Sequence, residues 1–525
     1  MKNLEEMLKK QDYDRVWEKY CGFLDLSLSE FMIIQERLLM EQIELLSRCE
    51  LGQNIMGKGV KPTTIQEFRD LVPLTTYEDY ADILLNKNEK ALPSKPLYWI
   101  KTSWKGGTHD IKLAPYSESM IEEHTKSFIA SLILATSKKR GEFLLRENDK
   151  FLYGMAPLPY LTGLAPYGVE NEITFEYLPS IKEAEHLSFE ERNKVGFELA
   201  MTKGVDLFFG LSSVLVKIGE DFARGAKGNK KHTLKITNLK MLSKLIKVYI
   251  KRNIKKETIL PKDLWDIKGI LCAGTDTHTF KEKIEYYWGK RPIEIYGGTE
   301  IATVATETWG GSGLTFFPDV NFLEFIPEKD SVKSIKDKSY VPRTLLINEI
   351  KPNERYEIVI TKFRGGAFVR YRVGDVIECL ALKNEAYKIY LPQIRFVDRI
   401  SNVIDLAGFT RITKTTIQKA LEISGLPINE WIASKQYEDK EPVLHIYMEM
   451  NDELNTHSSV KSIVHDNLQI VDSDYKDIES MLGRDPLRIT LLPAGAFQKH
   501  TKLSGEALIK MNPSRKSIDE LIKCS

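Results

Sequence analysis

The chain has 525 residues, of which 42% are hydrophobic and 28% charged, and its formal net charge is +1. This length predicts two or more domains, and the balanced charge gives no reason to expect nucleic-acid or membrane binding. The five cysteines are widely spaced without a Cys-x-x-Cys pair, which argues against a zinc site and a disulfide framework. We find neither a signal peptide nor a run of roughly 18 apolar residues, so we expect a cytoplasmic protein of unspecified oligomeric state.

Helices are the first predicted elements. Residues 2–50 carry apolar side chains at helical spacing, which predicts two helices with a packing role. A further helix is predicted from Ser117 or Ser119 to about Thr136, because Ser119 and Glu122 have the spacing of a capping box.

Between these helices, residues 98–116 predict a strand, a loop and a second strand that leaves through Lys112. Backbone N–H groups and hydroxyls of such a loop can cradle a polyphosphate, and a lysine adds positive charge. The candidate phosphate-binding hydroxyls are those of Thr102, Ser103 and Thr108. The alternative is a plain hairpin turn at residues 106–107.

Two later stretches have a distinctive composition. Residues 151–168 are aromatic and rich in glycine and proline, which suits either an apolar substrate pocket or a rigid surface loop. Residues 224–262 are strongly basic, but their apolar positions predict an amphipathic helix with a solvated face rather than a nucleic-acid patch.

Residues 270–296 predict a strand–helix–strand unit with a parallel sheet. Gly297 and Gly298 then end the second strand, and Thr299 and Glu300 follow directly. A hydroxyl and a carboxylate are thereby placed where open α/β sheets bind ligands. Such a set of groups suits a nucleotide. The aromatic ring can cover the base, the glycines admit phosphate, and the carboxylate can hold magnesium. The alternative is an ordinary strand, turn and helix start.

A second carboxylate follows a later strand. Residues 354–361 alternate as a strand, and residues 368–375 predict another strand that delivers Asp375 after Gly374. A carboxylate there can accept hydrogen bonds from both hydroxyls of a ribose. The alternative is a β-turn aspartate without a ligand.

The lengths of the predicted elements change near residues 398–401, where we place a domain boundary. Beyond it the segments are shorter and predict a compact α+β unit. Its predicted elements are a helix over 415–423, strands over 443–450 and 488–492, and a helix between those strands.

Several motifs together resemble a known family. Tyr296–Glu300, Tyr371–Asp375 and the tail lysines occur in the order seen in adenylate-forming enzymes. Tyr356–Thr361 and Pro392–Arg399 narrow the resemblance to the auxin-responsive acyl acid–amido synthetase branch. The resemblance covers the chain from about residue 60 to its end.

The resemblance implies an α/β fold with a large N-terminal domain, residues 1–398, whose parallel and mixed sheets are flanked by helices. It also implies a small, mobile α+β domain, residues 399–525. The expected cofactors are ATP and Mg²⁺, and the expected substrate is a small carboxylic acid. The family activates the acid as an acyl-adenylate, and many members pass the acyl group to an amine, often an amino acid.

The resemblance also implies roles for individual residues. Glu300 would hold magnesium, Thr299 would face the α-phosphate and Asp375 would hold the ribose. Tyr296 would cover adenine, with Gly297 and Gly298 beside the phosphates, Ala273 and Gly274 beneath the ring, and Arg399 at the domain junction. The lysine that bridges carboxylate and phosphate would be Lys510, because residues 505–510 match the closing motif of the family; the alternatives are Lys499 and Lys502.

Two departures from the family pattern keep other functions open. Trp104 and Lys105 replace the expected glycine and threonine of the phosphate loop, which leaves room for a non-catalytic nucleotide or acid binder. Residues 403–412, with Gly408, look more like the junction of acyl-CoA ligases, in which the glycine admits a pantetheine arm. CoA is therefore an alternative acceptor.

Overall fold

The computed structural model describes residues 2–102, 111–224, 243–244, 246, 258–337, 339–399, 403–408, 410–450, 457–504 and 508–524. Ser103, Thr108 and the unusual Trp104 and Lys105 lie outside these ranges, as does most of the basic stretch 224–262. The first strands form a hairpin, and an eleven-stranded sheet forms the centre of the chain, in the order β10-β11-β12-β13-β9-β8-β7-β6-β5-β3-β4. The strands of the described chain are β1 Tyr98–Lys101, β2 Leu113–Tyr116, β3 Lys150–Tyr153, β4 Glu176–Leu178, β5 Leu207–Leu211, β6 Gly269–Ala273, β7 Ile293–Gly298, β8 Ala302–Glu307, β9 Leu314–Phe316, β10 Asn321–Pro327, β11 Arg355–Lys362, β12 Tyr371–Ala381, β13 Gln393–Arg399, β14 Val403–Leu406, β15 Thr410–Thr413, β16 Ile428–Glu438, β17 Glu441–Met450 and β18 Leu487–Leu492.

Helices cover the faces of the sheet and build much of the two ends of the chain. The α-helices of the described ranges are α1 Asn3–Lys9, α2 Tyr13–Cys21, α3 Leu28–Ser47, α4 Glu50–Met56, α5 Ile65–Leu71, α6 Ala81–Leu85, α7 Glu118–Thr136, α8 Leu161–Glu170, α9 Ile181–Ala184, α10 Phe189–Lys203, α11 Ser212–Ala223, α12 Pro261–Leu264, α13 Thr277–Trp288, α14 Glu328–Lys336, α15 Lys414–Ile423, α16 His457–Val471, α17 Ser473–Leu482, α18 Ala496–Ser504 and α19 Arg515–Lys523. Within these ranges, no helix combines the length and apolar character that crossing a membrane requires.

The large sheet has a parallel half and an antiparallel half. Strands β4, β3, β5, β6 and β7 run parallel to their neighbours, and α13 connects β6 to β7 as the predicted strand–helix–strand unit. From β7 onward the strands are antiparallel, starting with the β7–β8 hairpin. The predicted α/β class with a mixed sheet flanked by helices is therefore confirmed, and the carboxyl end of β7 lies where the two halves meet.

The C-terminal unit, residues 403–524, has its own sheet and core. Strand β16 pairs antiparallel with β17, and β17 pairs parallel with β18. The apolar side chains between Ile404 and Met511 form a cluster separate from the core of residues 4–396. The boundary between 1–398 and 399–525 stays a prediction, although the large sheet ends with Arg399 and the next strand begins with Val403.

Several local predictions were wrong. Helix α7 is capped by Ser117, whose Oγ accepts from the backbone N–H of Met120 at 3.4 Å, so the proposed Ser119 box is not the cap. Residues 161–170 form α8, so the alternative of a rigid surface loop is wrong for this part of residues 151–168. Strand β7 continues through Gly298, and β12 begins only at Tyr371. Strand β16 was not predicted, and two helices rather than one lie between β17 and β18.

Candidate active site

The turn between β7 and β8 presents Glu300. The backbone N–H of Ile301 donates to the carbonyl of Gly298 at 3.1 Å and closes the turn. A Cβ on Gly297 would lie 2.5 Å from the carbonyl oxygen of Ala302, so this register requires glycine there. Thr299 and Glu300 therefore sit in a tight hairpin turn, because antiparallel pairing, not a helix start, follows β7.

Glu300 faces a lysine and a tyrosine from two other elements. Tyr371 donates its hydroxyl to Glu300 Oε1 at 3.2 Å, and Lys112 Nζ lies 3.8 Å from the same oxygen. Lys112 also donates to the Tyr371 hydroxyl at 3.2 Å, and its Nζ lies 5.1 Å from the centre of the Tyr77 ring. Burial lowers the pKa of Lys112, and the Glu300 carboxylate partly offsets this. A carboxylate and an ammonium group thus converge at the end of β7.

The β1–β2 hairpin holds Lys112 and the turn in place. The backbone N–H of Thr102 donates to the carbonyl of Lys112 at 3.0 Å, and the Thr102 side chain is buried. Tyr116, at the end of β2, donates its hydroxyl to the Thr299 carbonyl at 2.7 Å. Thr102, the last described residue before the predicted phosphate loop, is thus held beside Lys112, whose ammonium group approaches Glu300.

Asp375 lies buried between Tyr296 and Arg399. Tyr296 donates its hydroxyl to Asp375 Oδ2 at 2.8 Å, and Arg399 Nε forms an ion pair with Oδ1 at 3.0 Å. Asp375 is only 2% exposed, and burial raises the pKa of its carboxyl although Arg399 acts to lower it. The Tyr296 ring packs against Phe396 with ring centres 5.7 Å apart. The structure thus brings together three residues that the motifs had singled out.

The end of β6 is covered by the C-terminal unit. Ala273 ends the strand, and Gly274 has a φ of +126°, a conformation that favours glycine. A Cβ on Gly408 would lie 3.1 Å from the Cα of Gly274, so the two glycines pack backbone against backbone. In this arrangement the turn that contains Gly408 contacts the segment predicted to lie beneath adenine.

Asp276 fastens the C-terminal unit to this edge of the sheet. Its Oδ1 accepts from the Tyr437 hydroxyl at 2.6 Å and pairs with Lys435 Nζ at 2.6 Å, and its Oδ2 accepts from the backbone N–H of Ala407 at 2.9 Å. Asp276 is 1% exposed. Burial acts to lower the pKa of Lys435, but Asp276 and Asp405 outweigh it and leave this pKa raised. We call Asp276, Lys435, Tyr437 and the Ala407 N–H the junction cluster.

Asp405 adds a second contact beside the junction cluster. Thr275 donates its hydroxyl to Asp405 Oδ1 at 2.9 Å, and Arg411 Nε donates to Oδ2 at 3.2 Å. Sequence reasoning missed Asp276 and Asp405 as well as Lys435 and Tyr437. An aspartate at the start of a helix signals only a cap, and its partners here are more than a hundred residues away.

Two family models match the chain. Residues 22–152 match the GH3 family N-terminal domain, and residues 314–399 match the GH3 family central domain. Over these two segments the chain is similar to the GH3 family. The matched segments include the β1–β2 hairpin and the β12–β13 pair, so the GH3 match covers Lys112, Asp375 and Arg399.

Curated relatives match parts of the chain. A probable indole-3-acetic acid-amido synthetase GH3.11 of Oryza sativa subsp. japonica is 26% identical over 241 residues, which covers 39% of this chain and 39% of the relative. A jasmonoyl–L-amino acid synthetase JAR4 of Nicotiana attenuata is 26% identical over 162 residues, which covers 30% and 26%. The match thus spans less than half the length of these GH3 relatives.

Solved structures resemble nearly the whole chain in fold. The AtGH3.15 acyl acid amido synthetase in complex with 2,4-DB gives a TM-score of 0.54 at 16% identity, covering 96% of this chain and 95% of that one. A 2-hydroxyisobutyryl-CoA ligase in complex with 2-HIB-AMP and CoA gives 0.55 at 13% identity, covering 95% and 93%. These likenesses concern the fold, and they confirm the expected α/β architecture with a large mixed sheet flanked by helices.

The predicted catalytic lysines find their polar partners within the C-terminal unit. Lys510 forms an ion pair with Glu430, and its Nζ lies 5.1 Å from the centre of the Trp431 ring. Burial lowers the pKa of Lys510 to about 8. Lys499 is exposed and its Nζ lies 3.5 Å from the Cys524 carbonyl oxygen. While the contacts of the junction cluster are formed, neither Lys510 nor Lys499 pairs with Glu300 or Asp375.

Glu300 has the chemistry that a magnesium ion needs from protein. No group of three or more potential metal ligands occurs among the residues that the structure describes. Magnesium in nucleotide sites uses one or two carboxylates together with substrate phosphates and water. The polar contacts of Glu300 described above all involve Oε1, and its side chain is 17% exposed. A single partly exposed carboxylate beside a predicted phosphate loop fits such an ion.

Proposed function

We propose that this protein uses ATP to activate a carboxylic acid as an acyl-adenylate and then transfers the acyl group to the amine of an amino acid. The observation that supports this most is the meeting of Glu300, Lys112 and Tyr371 with the Asp375–Arg399 pair around the end of β7. The names of two relatives, a probable indole-3-acetic acid-amido synthetase and a jasmonoyl–L-amino acid synthetase, support the same reaction.

The charges of the site suit the first half-reaction. A carboxylate and a triphosphate repel each other, so cations must offset that charge before the acid attacks the α-phosphate. Lys112 supplies one positive charge directly, and Glu300 would hold Mg²⁺, which supplies charge neutralisation of the phosphates when bound. Asp375 would accept hydrogen bonds from ribose hydroxyls, and Thr299 would orient the α-phosphate.

Tyr296, Ala273 and Gly274 would form the adenine site in this proposal, with Arg399 holding Asp375. The Tyr296 hydroxyl fixes the ring against Phe396, so the ring is already oriented before a nucleotide binds. Lys510 would bridge the acid and the phosphate only after the C-terminal unit leaves its present contacts, because its polar partners now lie within that unit.

Packing at the junction favours an amine over CoA as acceptor. The main reason to expect CoA was that Gly408 could admit a pantetheine arm. Gly408 instead packs against Gly274, and a Cβ at Gly408 would come within 3.1 Å of the Gly274 Cα. Close backbone packing therefore explains this glycine without any role in binding a thiol.

Exchange of labelled pyrophosphate into ATP, screened over carboxylic acids, tests the first half-reaction. We expect exchange that depends on one class of acid and on magnesium. Mass spectrometry with a mixture of amino acids and CoA then identifies the acceptor, and we expect an amide. A thioester would support the acyl-CoA ligase instead. ATP binding without exchange for any acid would support a non-catalytic binder.

A further inference from the structure

A short segment that begins at Thr75 lies beside the strand that carries Tyr371. The backbone N–H of Thr75 donates to the Arg370 carbonyl at 2.9 Å, and the backbone N–H of Arg372 donates to the Thr75 carbonyl at 2.9 Å. Thr75 thereby pairs in parallel with Tyr371. Tyr77 follows two residues later, so its backbone is anchored beside the strand that supplies one wall of the candidate active site.

The Tyr77 hydroxyl binds the backbone of β2 at a single residue. It accepts from the Leu113 N–H at 2.6 Å and donates to the Leu113 carbonyl at 3.1 Å. Because the Lys112 carbonyl accepts from the Thr102 N–H, Leu113 occupies the next position of the antiparallel pair, whose N–H and C=O groups point away from β1. Tyr77 is 4% exposed, which shelters these bonds from water. Tyr77 therefore fixes the backbone directly beside Lys112.

The Tyr77 ring also attracts the ammonium group of Lys112. Lys112 Nζ lies 5.1 Å from the centre of the Tyr77 ring and 5.9 Å from that of Tyr371, and both distances are within the range of cation–π attraction. The distance from Nζ to Glu300 Oε1, 3.8 Å, is longer than a hydrogen bond. The two rings and the Tyr371 hydroxyl thus contribute to the position of the ammonium group. The Lys112 side chain is 17% exposed, so an oxygen of a ligand can reach it.

We propose that Tyr77 is a positioning residue that directs the ammonium group of Lys112 toward a phosphate of the bound nucleotide. This inference rests on the proposed function. Lysine acts on phosphate as a point charge on a flexible chain, so its effect depends on where the chain is held. A side chain that is held in place before the phosphate arrives loses less conformational entropy on binding. Tyr77 acts through Lys112, and its contribution is therefore confined to ligands that carry phosphate.

Binding of ATP and of adenosine, each with Mg²⁺, tests the proposal by isothermal titration calorimetry on the full chain. Tyr77→Phe keeps the ring and removes both hydrogen bonds to Leu113. We expect it to weaken ATP binding by roughly 10-fold and to leave adenosine binding unchanged, because adenosine has no phosphate. Lys112→Met should weaken ATP binding at least as much. The double variant should bind ATP no more weakly than Lys112→Met alone, because Tyr77 acts through Lys112.

Tyr356→Phe is the matched control. The Tyr356 hydroxyl also accepts from a backbone N–H, that of Lys351 at 2.9 Å, and it donates to the Glu354 carboxylate at 2.7 Å. None of these three residues belongs to the candidate active site. The control variant should therefore bind ATP and adenosine as the wild type does, whatever its effect on the melting temperature.

Three results would overturn the proposal. They are an equal loss of ATP and adenosine affinity in Tyr77→Phe, a double variant in which the two losses add, and unchanged ATP affinity in Tyr77→Phe. If Tyr77→Phe does not fold, hydrogen exchange on the wild type takes its place. Saturating ATP should slow exchange at the Leu113 amide, which bonds to the Tyr77 hydroxyl, more than saturating adenosine does. Equal exchange with both ligands would overturn the proposal.

Binding and catalysis together separate this proposal from the proposed function. If the variants bind ATP and adenosine as expected but no acid supports pyrophosphate exchange in the wild type, the role of Tyr77 stands and the proposed function fails. If the wild type exchanges pyrophosphate and Tyr77→Phe does so with the same kcat and the same KM for ATP, the proposed function stands and the role of Tyr77 is refuted.

Discussion

Replacing Asp276 with asparagine should release the C-terminal unit from the edge of the large sheet. The substitution keeps the size of the side chain and removes the negative charge that pairs with Lys435 and accepts from Tyr437. If the amide nitrogen takes the place of Oδ2, it also meets the Ala407 N–H as a second donor. The change is therefore aimed at the junction cluster and leaves the apolar cores intact.

The expected magnitude follows from the burial of this pair. Asp276 is 1% exposed and Lys435 is 7% exposed at its side chain, so solvent screens the interaction weakly. Removing one partner of a buried ion pair typically costs about 3–5 kcal/mol. Asp405 also stabilises the Lys435 charge, so we expect the lower end, about 3 kcal/mol. This corresponds to a shift of roughly 10²-fold in the equilibrium between the docked and released arrangements.

Hydrogen exchange measures this directly, because the Ala407 amide bonds to Asp276 across the junction. We expect faster exchange at Ala407 in Asp276→Asn, with little change in the core strand β11. Glu282→Gln is the control, since Glu282 pairs with Lys440 across the same junction but is exposed, and it should exchange as wild type does. Unchanged exchange at Ala407 in Asp276→Asn would show that the junction cluster does not hold the unit.

Three further predictions concern the candidate active site. Glu300→Gln should lower pyrophosphate exchange by about 10²-fold or more and weaken its magnesium dependence, and wild-type exchange would rule out Glu300 as the magnesium ligand. Asp375→Ala should raise the KM for ATP and should also lower the melting temperature, because it removes the ion-pair partner of Arg399, whereas equal ATP affinity would support an aspartate that serves only the fold. Lys510→Ala should abolish exchange but spare transfer from a supplied acyl-adenylate; if Lys499→Ala does this instead, Lys499 is the bridging lysine.

Local sequence patterns predicted the strands whose apolar pattern is uninterrupted. The apolar run before Gly297 and the alternation over 354–361 each gave a strand where the structure has β7 and β11. Strand β16 escaped prediction because Lys435, Gln436 and Tyr437 interrupt its apolar alternation, and long-range pairing with β17 decides its conformation. Glycine pairs were also ambiguous, since Gly297 and Gly298 continue a strand that they were expected to end.

Some residues of the candidate site could likewise be predicted from local sequence, and others could not. Glu300 and Asp375 were predictable because each follows a recognisable strand in a motif of fixed order. Lys112 lay in a predicted strand, but only the folded hairpin shows that its ammonium group approaches Glu300.

Charge links the candidate nucleotide site to the junction. Arg399 pairs with Asp375 and also interacts with Asp405, which binds Arg411 and Thr275 beside the junction cluster. A ribose that hydrogen-bonds to Asp375 must share that carboxylate with Arg399, the last residue of the large sheet. Any weakening of the Asp375–Arg399 pair therefore changes the charge that Asp405 experiences at the junction. If a nucleotide binds at Asp375 as proposed, these contacts connect it through Arg399 and Asp405 to the junction cluster.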